Sequence, residues 1–486
     1  MLARDARFDG RFFIAVITTG IYCRPICPVR PPKAENCLFM PSAAAAQAAG
    51  FRPCLRCRPE LAPGLPALRG TANTTARALA LIELGALDEG DVESLAGRVG
   101  VGGRHLRRLF TEHVGASPVA VAQARRVHIA KQLIHETEMP MSEVADASGF
   151  GSVRRFNETF ARLFGRPPSA LRRAGGGGDA ASGITIGLSY RPPYAWDEVL
   201  DFLAARAIPG VEMASAGTYA RTIELAGRTG EIRVSHEPSR SRLLATIAFP
   251  VIGEIPRIIA RLRRMFDLDA DVSVIGSALA ADPLLGPLLA ERPGLRVPGA
   301  WDPFELAVRA VVGQQISVTS ATRLIGRMAD EHGDRVAGTG PGSRLRLLFP
   351  GAGRLARARI TGMPSARAQA IAMLASRAAR DERLFDRGSD VEESVGRLLE
   401  LPGFGPWTAN YVAMRAMREP DAFPSGDIGL LRALGRGRVR PTPGELQEHA
   451  RAWRPWRAYA ALHLWSAPLA AATRPSERES SIAIAA

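Results

Sequence analysis

Leu401-Pro402-Gly403-Phe404-Gly405-Pro406-Trp407-Thr408-Ala409 decides how the C-terminal half of this chain is read. The two glycines permit a tight turn between two helices. The turn leaves backbone amides at the N-terminus of the second helix, where they have no intrahelical acceptor and form a natural seat for a phosphate. This is a helix-hairpin-helix. On its own it signals sequence-independent grip on DNA and implies no catalysis. Gly403, Gly405 and Thr408 are the candidate phosphate contacts, and the hairpin carbonyls are candidates to hold a cation against that phosphate.

Downstream lies Ala422-Phe423-Pro424-Ser425-Gly426-Asp427. A hairpin followed at this distance by a Pro/Gly loop ending in aspartate resembles the helix-hairpin-helix DNA glycosylases. The resemblance makes Asp427 the catalytic carboxylate. Next to the sugar, such a group stabilises an oxocarbenium-like transition state and favours attack by water. The residues alone allow another role, an N-cap for the helix starting Ile428-Gly429-Leu430-Leu431. Lyase-competent members carry a lysine in the second hairpin helix. Here Trp407 takes that place, and no lysine occurs from 184 to 486, so a lysine Schiff base is excluded and the expected reaction is monofunctional hydrolysis.

Arg191-Pro192-Pro193-Tyr194-Ala195-Trp196, Phe304-Glu305-Leu306-Ala307-Val308-Arg309-Ala310, Trp407-Thr408-Ala409-Asn410-Tyr411, Trp453-Arg454-Pro455-Trp456-Arg457 and Ala461-Leu462-His463-Leu464-Trp465 resemble the AlkA-type 3-methyladenine glycosylases. That likeness spans the C-terminal half. It implies a pocket for a flipped alkylpurine lined by Phe202, Trp407, Tyr411 and Trp465, whose rings suit electron-poor cationic bases. Each aromatic taken singly reads equally well as core. Gln315 stands where a relative has a leucine wedge, and Ile428 stands where it has tyrosine.

All five cysteines precede residue 58: Cys23-x-x-x-Cys27, Cys37 and Cys54-x-x-Cys57. Two close pairs suggest one tetrahedral zinc site, for which a structural staple is the commonest role. The surrounding strings Asp9-Gly10-Arg11-Phe12-Phe13, Thr18-Thr19-Gly20-Ile21-Tyr22-Cys23-Arg24-Pro25-Ile26-Cys27-Pro28 and Ala49-Gly50-Phe51-Arg52-Pro53-Cys54-Leu55-Arg56-Cys57 resemble the N-terminal domain of Ada alkylation-response proteins. That resemblance implies zinc on Cys23, Cys27, Cys54 and Cys57. It also implies irreversible methyl transfer from a DNA phosphotriester to Cys23, which removes one negative charge and so favours DNA binding. Arg24, Arg30, Arg52, Arg56 and Arg58 are candidate phosphate contacts, and Cys37 reads as a buried apolar residue. The family carries a short segment ahead of this motif, so a longer natural N-terminus is expected.

Glu93–Val101 running into Gly102–Phe110, and Met141–Phe150 running into Gly151–Phe160, share one design. Each is a short helix, a turn of small residues and a basic amphipathic helix. With Phe164-Gly165-Arg166-Pro167-Pro168-Ser169, the pair resembles the AraC-type double helix-turn-helix domain. Leu106, Leu109, Phe110, Phe156 and Phe160 should face the core. Arg104, His105, Arg107 and Arg108 of one helix, and Ser152, Arg154, Arg155 and Asn157 of the other, should face DNA.

The composition agrees. Sixty-three Lys+Arg against 48 Asp+Glu give a net charge of +15, suited to a polyanion. The excess is densest at the start, where residues 1–60 hold 9 Lys/Arg against 4 Asp/Glu. Arginine bias from a GC-rich coding sequence offers a neutral explanation for part of it. No apolar run spans a bilayer, and MLARDARFDG is no signal peptide, so a cytoplasmic, nucleoid-associated protein without a membrane partner is expected.

The expected architecture is multidomain and mostly α. A zinc-thiolate α/β domain (1–62) precedes an all-α double helix-turn-helix domain (70–173) and a Gly-rich linker (174–183). An α+β subdomain (184–275), a helical helix-hairpin-helix glycosylase domain (276–475) and a tail (476–486) follow. The expected function is base excision of alkylated purines in duplex DNA, fused to a methylphosphotriester-sensing regulator that binds a promoter and works with RNA polymerase. The competing reading is a transcription factor whose C-terminal half holds DNA without catalysis. The absence of cysteine after Cys57 excludes a second thiol methyltransferase domain.

Overall fold

The computed structural model describes residues 3–63, 72–88, 90–172, 183–336, 344–387, 390–435 and 441–466. The tail and nearly all of the Gly-rich linker lie outside the described residues. By their contacts the residues form two compact units. One comprises Met1–Pro192, Leu225–Arg263 and Leu268–Asp271; the other comprises Pro193–Glu224, Arg264–Asp267 and Val272–Ala486.

The chain opens with a four-stranded sheet of order β3-β1-β2-β4, built from β1 (Phe13–Val16), β2 (Ile21–Cys23), β3 (Cys37–Met40) and β4 (Arg52–Pro53), with α1 (Ala43–Ala48) before the last strand. β1 is buried throughout, while β3 is an edge strand with Phe39 exposed. Cys37 corrects the expectation of burial. It is half-exposed on that edge, and its thiol donates to the Lys33 carbonyl.

Six helices follow: α2 (Ala72–Glu83), α3 (Val92–Arg98), α4 (Gly103–Val114), α5 (Pro118–Glu136), α6 (Met141–Ala147) and α7 (Val153–Phe164). The two expected helix-turn-helix units are α3–α4 and α6–α7, joined by α5. Leu106, Leu109, Phe110, Phe156 and Phe160 are buried as expected. Ser117 and Ser152 cap α5 and α7 by accepting the Ala120 and Arg155 amides. Gly115 and Gly165 end α4 and α7 in the left-handed region that a side chain disfavours.

α5 also carries the seat of the zinc domain. Tyr22 Oη and His128 Nε2 lie 2.8 Å apart, and Gln47 donates to the same hydroxyl. Lys131 Nζ reaches Glu60 at 2.7 Å and the Cys54 carbonyl at 3.0 Å. Both side chains of the Lys131–Glu60 pair are fully buried.

The α+β stretch contains β5 (Ile184–Ser189), α8 (Trp196–Ala204), β6 (Glu212–Ser215), β7 (Thr218–Leu225), β8 (Arg228–Glu237), β9 (Arg242–Ala248) and α9 (Ile255–Met265). β5 pairs antiparallel with β9, Ile184 opposite Ile247 and Leu188 opposite Leu243. β8 continues that sheet on the far side of β9. β5, β8, β9 and most of α9 belong to the first unit. α8, β6 and nearly all of β7 belong to the second, where β6 and β7 form a hairpin.

The rest of the second unit is helical: α10 (Val272–Leu279), α11 (Leu285–Glu291), α12 (Pro303–Val312), α13 (Val318–His332), α14 (Ala352–Leu355), α15 (Ser365–Arg380), α16 (Val391–Leu399), α17 (Pro406–Arg415), α18 (Ile428–Gly435), α19 (Pro443–His449) and α20 (Arg457–Trp465). Asp302, Ser317 and Asp390 cap α12, α13 and α16, and Thr442 with Glu445 forms a capping box on α19. No described helix is long and apolar enough to cross a membrane.

Two outcomes follow for stability. Lys131→Met leaves the buried Glu60 carboxylate without its closest cation, so denaturant unfolding should show a loss of about 3 kcal/mol. His128 is held neutral by burial, which lowers its pKa from 6.5 to about 4. The unfolded chain therefore takes up a proton here before the folded one does. Stability from this group is full above pH 6.5 and falls as pH drops toward 4. A melting series over that window on His128→Gln should lack this component.

Candidate metal centre and candidate active site

Cys23 ends β2, Cys27 follows in the next turn, and Cys54 and Cys57 follow β4. The four sulfurs are buried and lie within 4.8 Å of one another. All four are free thiols. Tetrahedral zinc with bonds of about 2.3 Å places thiolates roughly 3.8 Å apart, so the donor set fits that ion. Cys57 Sγ accepts the Arg24 amide at 3.3 Å, Cys54 Sγ accepts the Arg56 amide at 3.4 Å, and Cys27 accepts the Val29 amide. Among the described residues no backbone amide donates to Cys23.

Two arginines expected at phosphates are instead internal. Arg24 is buried against Asp9 and donates to the Cys57 carbonyl. Arg58 pairs with Glu60 and Glu136. Arg30 and Arg56 are exposed, and Arg52 is half-buried. On α4, Arg104, His105, Arg107 and Arg108 are exposed, as are Ser152, Arg154, Arg155 and Asn157 at the start of α7. Arg107 pairs with Glu93, which also caps Gly103, and Arg154 pairs with Glu158.

In the second unit the hairpin joins α16 to α17. Leu401 and Phe404 are buried pins, and Pro402, Gly403, Gly405 and Pro406 are exposed. Gly403 has φ +81°, and a Cβ there would lie 2.6 Å from Ala370 Cβ, so no larger residue fits. Thr408 is buried, and its hydroxyl receives the Gln314 side-chain amide at 2.8 Å. The same amide donates to the Gly403 carbonyl at 2.8 Å. Arg367 holds the Gln314 carbonyl. The neighbouring Gln315 is exposed with φ +61°, so a left-handed, strained residue projects from a loop tied to the hairpin.

Asp427 is 8% exposed at the start of α18. Its Oδ1 accepts the Leu430 amide at 3.0 Å and the Trp465 indole N–H at 2.8 Å. Its Oδ2 accepts the Trp407 indole N–H at 3.0 Å. The N-cap reading holds, since one oxygen accepts the first-turn amide of the helix, and the same carboxylate lies among the aromatics. Tyr411 stacks on Trp407 with centroids 5.1 Å apart and meets Trp465 edge-on at 6.4 Å. Phe202 lies under two guanidiniums, with Arg206 3.8 Å and Arg415 4.6 Å from its centroid. Arg415 also donates to the Tyr411 hydroxyl and to the carbonyls of Pro298 and Gly299. Ile428, beside Asp427, is 39% exposed. The fold thus gathers Phe202, Trp407, Tyr411, Trp465 and Asp427.

Arg206, Arg415, Gln314 and Arg367 were not anticipated. A signal existed for two of them, because Arg206 and Arg415 each stand four residues after a pocket aromatic, one turn along the same face.

Family models match residues 1–60 (metal binding domain of Ada), 95–174 (helix-turn-helix domain) and 185–302 (AlkA N-terminal domain). The chain is 41% identical over 471 residues to a probable bifunctional transcriptional activator/DNA repair enzyme AlkA of Mycobacterium tuberculosis, covering 96% of this chain and 94% of that one. It is 35% identical over 283 residues to DNA-3-methyladenine glycosylase 2 of Escherichia coli K12, covering 57% of this chain and 95% of the relative. It is 36% identical over 177 residues to the Ada protein of the same organism, covering 36% of this chain and 48% of the relative. Among solved structures, 3-methyladenine DNA-glycosylase of Archaeoglobus fulgidus shares the fold over 57% of this chain and 96% of its own, with TM-score 0.51 and 22% identity.

Elemental analysis of purified protein should find one zinc per chain, and Cys57→Ser should lose it.

Proposed function

Because the chain belongs to the family of bifunctional transcriptional activators and AlkA-type DNA repair enzymes, we propose that it hydrolyses the N-glycosidic bond of alkylated purines in duplex DNA and couples this repair to sensing of methylated phosphates. The preferred bases are of the 3-methyladenine and 7-methylguanine type. The observation that carries the reading is a carboxylate, Asp427, fixed by two indole N–H groups of an aromatic cluster beside a helix-hairpin-helix.

The hairpin grips the strand through the amides of Gly403 and Gly405, and a cation on its carbonyls would add to that grip. Gln315 enters the helix where the damaged base leaves it. The flipped base stacks among Trp407, Tyr411, Trp465 and Phe202. As the C1′–N bond breaks, the bonding pair leaves with the base and positive charge develops on the deoxyribose. The Asp427 carboxylate stabilises that charge, and water completes the substitution. Trp407 and Trp465 keep the carboxylate oriented.

At the other end, Cys23, Cys27, Cys54 and Cys57 would hold zinc, which would supply the positive charge that favours their thiolate form. The Cys23 sulfur attacks the methyl carbon of a phosphotriester. The S–C bond forms as the C–O bond breaks, and a phosphodiester anion departs. The three other sulfurs are quenched by amide N–H donors, which supports Cys23 as the nucleophile. The loss of one negative charge then favours DNA, so α4 and α7 engage a promoter and RNA polymerase is recruited. We take the units of function as 1–62, 70–173, and 184–275 with 276–475.

Base release from methylated duplex should be abolished by Asp427→Asn, while hairpin-dependent binding persists. Trp465→Phe, which keeps the ring but deletes one donor, should slow release about tenfold. Borohydride should trap no protein–DNA adduct. Intact-mass measurement after exposure to methylated DNA should add one methyl to the wild type and none to Cys23→Ala.

A further inference from the structure

A cavity beside Tyr411 is lined by four arginines, Arg206, Arg221, Arg309 and Arg415, against two glutamates, Glu212 and Glu305. The acids are already committed. Glu305 pairs with Arg221 at 2.7 Å and with Arg309, and Glu212 pairs with Arg309 and with Arg221 at 3.4 Å. Arg206 and Arg415 have no carboxylate partner among the described residues. Their hydrogen bonds go to neutral oxygens: Arg206 to the Phe202 carbonyl at 3.2 Å, and Arg415 to the Pro298 carbonyl at 2.8 Å, the Gly299 carbonyl at 3.2 Å and the Tyr411 hydroxyl. Two positive charges therefore stand unneutralised at the Phe202–Tyr411 end of the aromatic cleft. The fixed negative charge, Asp427, stands at the Trp407–Trp465 end.

This layout matters because of where charge travels. A 3- or 7-alkylpurine nucleotide carries its positive charge on the base. When the C1′–N9 bond breaks, the electron pair goes to the base, which leaves neutral, and the positive charge passes to the sugar. Resting on the glycosylase reading, we propose that Arg206 and Arg415 form the counterpart of Asp427, a cationic pocket end that disfavours positive charge on the flipped base and favours its passage to the deoxyribose. Both guanidiniums lie over the Phe202 ring, so Phe202 meets the base as part of this cationic end. Tyr411 reports the same field. Burial works to raise its pKa, yet the charges of Arg415 and Arg206 outweigh burial, and it falls below the ordinary tyrosine value. In a cleft shielded from water such a field is far stronger than in solution. It also favours release of uncharged lesions, whose base departs as an anion.

Arg415 is buried and bonded three ways, so the test is made at the half-buried Arg206, in the full chain. Duplexes carry either 7-methylguanine or its uncharged isostere 7-methyl-7-deazaguanine, each on a 2′-fluoro sugar so that the bond survives the binding measurement. Single-turnover release is read separately with the ordinary 7-methylguanine nucleotide. The wild type should bind the uncharged isostere several-fold more tightly. Arg206→Gln should narrow that gap and slow release about tenfold, while Arg206→Lys should keep the gap and stay within about threefold of wild-type release. The proposal is overturned if the wild type binds both duplexes equally. Equal slowing in the Gln and Lys variants also overturns it, since packing over Phe202 rather than charge would then be responsible. So does release in Arg206→Gln at the wild-type rate. A wild type that releases no 7-methylguanine at all sinks the glycosylase reading beneath it, an outcome none of the others resembles.

Discussion

The carboxylate of Asp427 is the constraint around which the second unit is arranged. A group that stabilises positive charge on a sugar must stay ionised, stay oriented and be largely removed from water, and these demands conflict. Burial alone would leave its oxygens without partners. Three N–H donors resolve the conflict, one from the first turn of α18 and two from indoles on α17 and α20. None of the three is a formal positive charge. Among the described residues no cation pairs with the carboxylate, so the donors that orient it do not neutralise it.

α17 ties this carboxylate to the strand grip. Its N-terminus faces the hairpin turn, its second residue is Trp407, and its third residue, Thr408, meets Gln314. Phosphate seat, carboxylate donor and wedge loop therefore share one rigid element. The Gly403 turn sets the position of that element against α15, because nothing larger than hydrogen fits beside Ala370.

Much of this was legible before the fold was known, for a definite reason. The hairpin, the cysteine pairs and the helix-turn-helix units are local patterns in which spacing fixes geometry. Spacing could not separate the N-cap from the catalytic role proposed for Asp427, because one carboxylate has an oxygen for each. Readings that depended on distant partners fared worse. Arg24 and Arg58 look like surface cations along the chain, yet Asp9, Glu60 and Glu136 pair with them inside the fold. Cys37 looked apolar but falls on an edge strand. Arg206 and Arg415 sit at helical spacing from Phe202 and Tyr411, and only the tertiary fold reveals that no carboxylate meets them.

Lysine usage makes the same point from the other side. Sixty-one of the 63 basic residues are arginine, and one of the two lysines, Lys131, is fully buried behind the zinc thiolates. The site needs a compact charge on a flexible stem that can touch Glu60 and the Cys54 carbonyl together, which a planar five-donor guanidinium does not supply. The charge logic then runs in parallel at the two centres. The methyl transfer proposed for Cys23 removes one negative charge from a site proposed to meet an anion. Base release moves one positive charge along a cleft whose ends already differ in sign. In each case the protein's fixed charges favour the product's charge distribution over the substrate's, and the chemistry supplies only the displacement of a single electron pair.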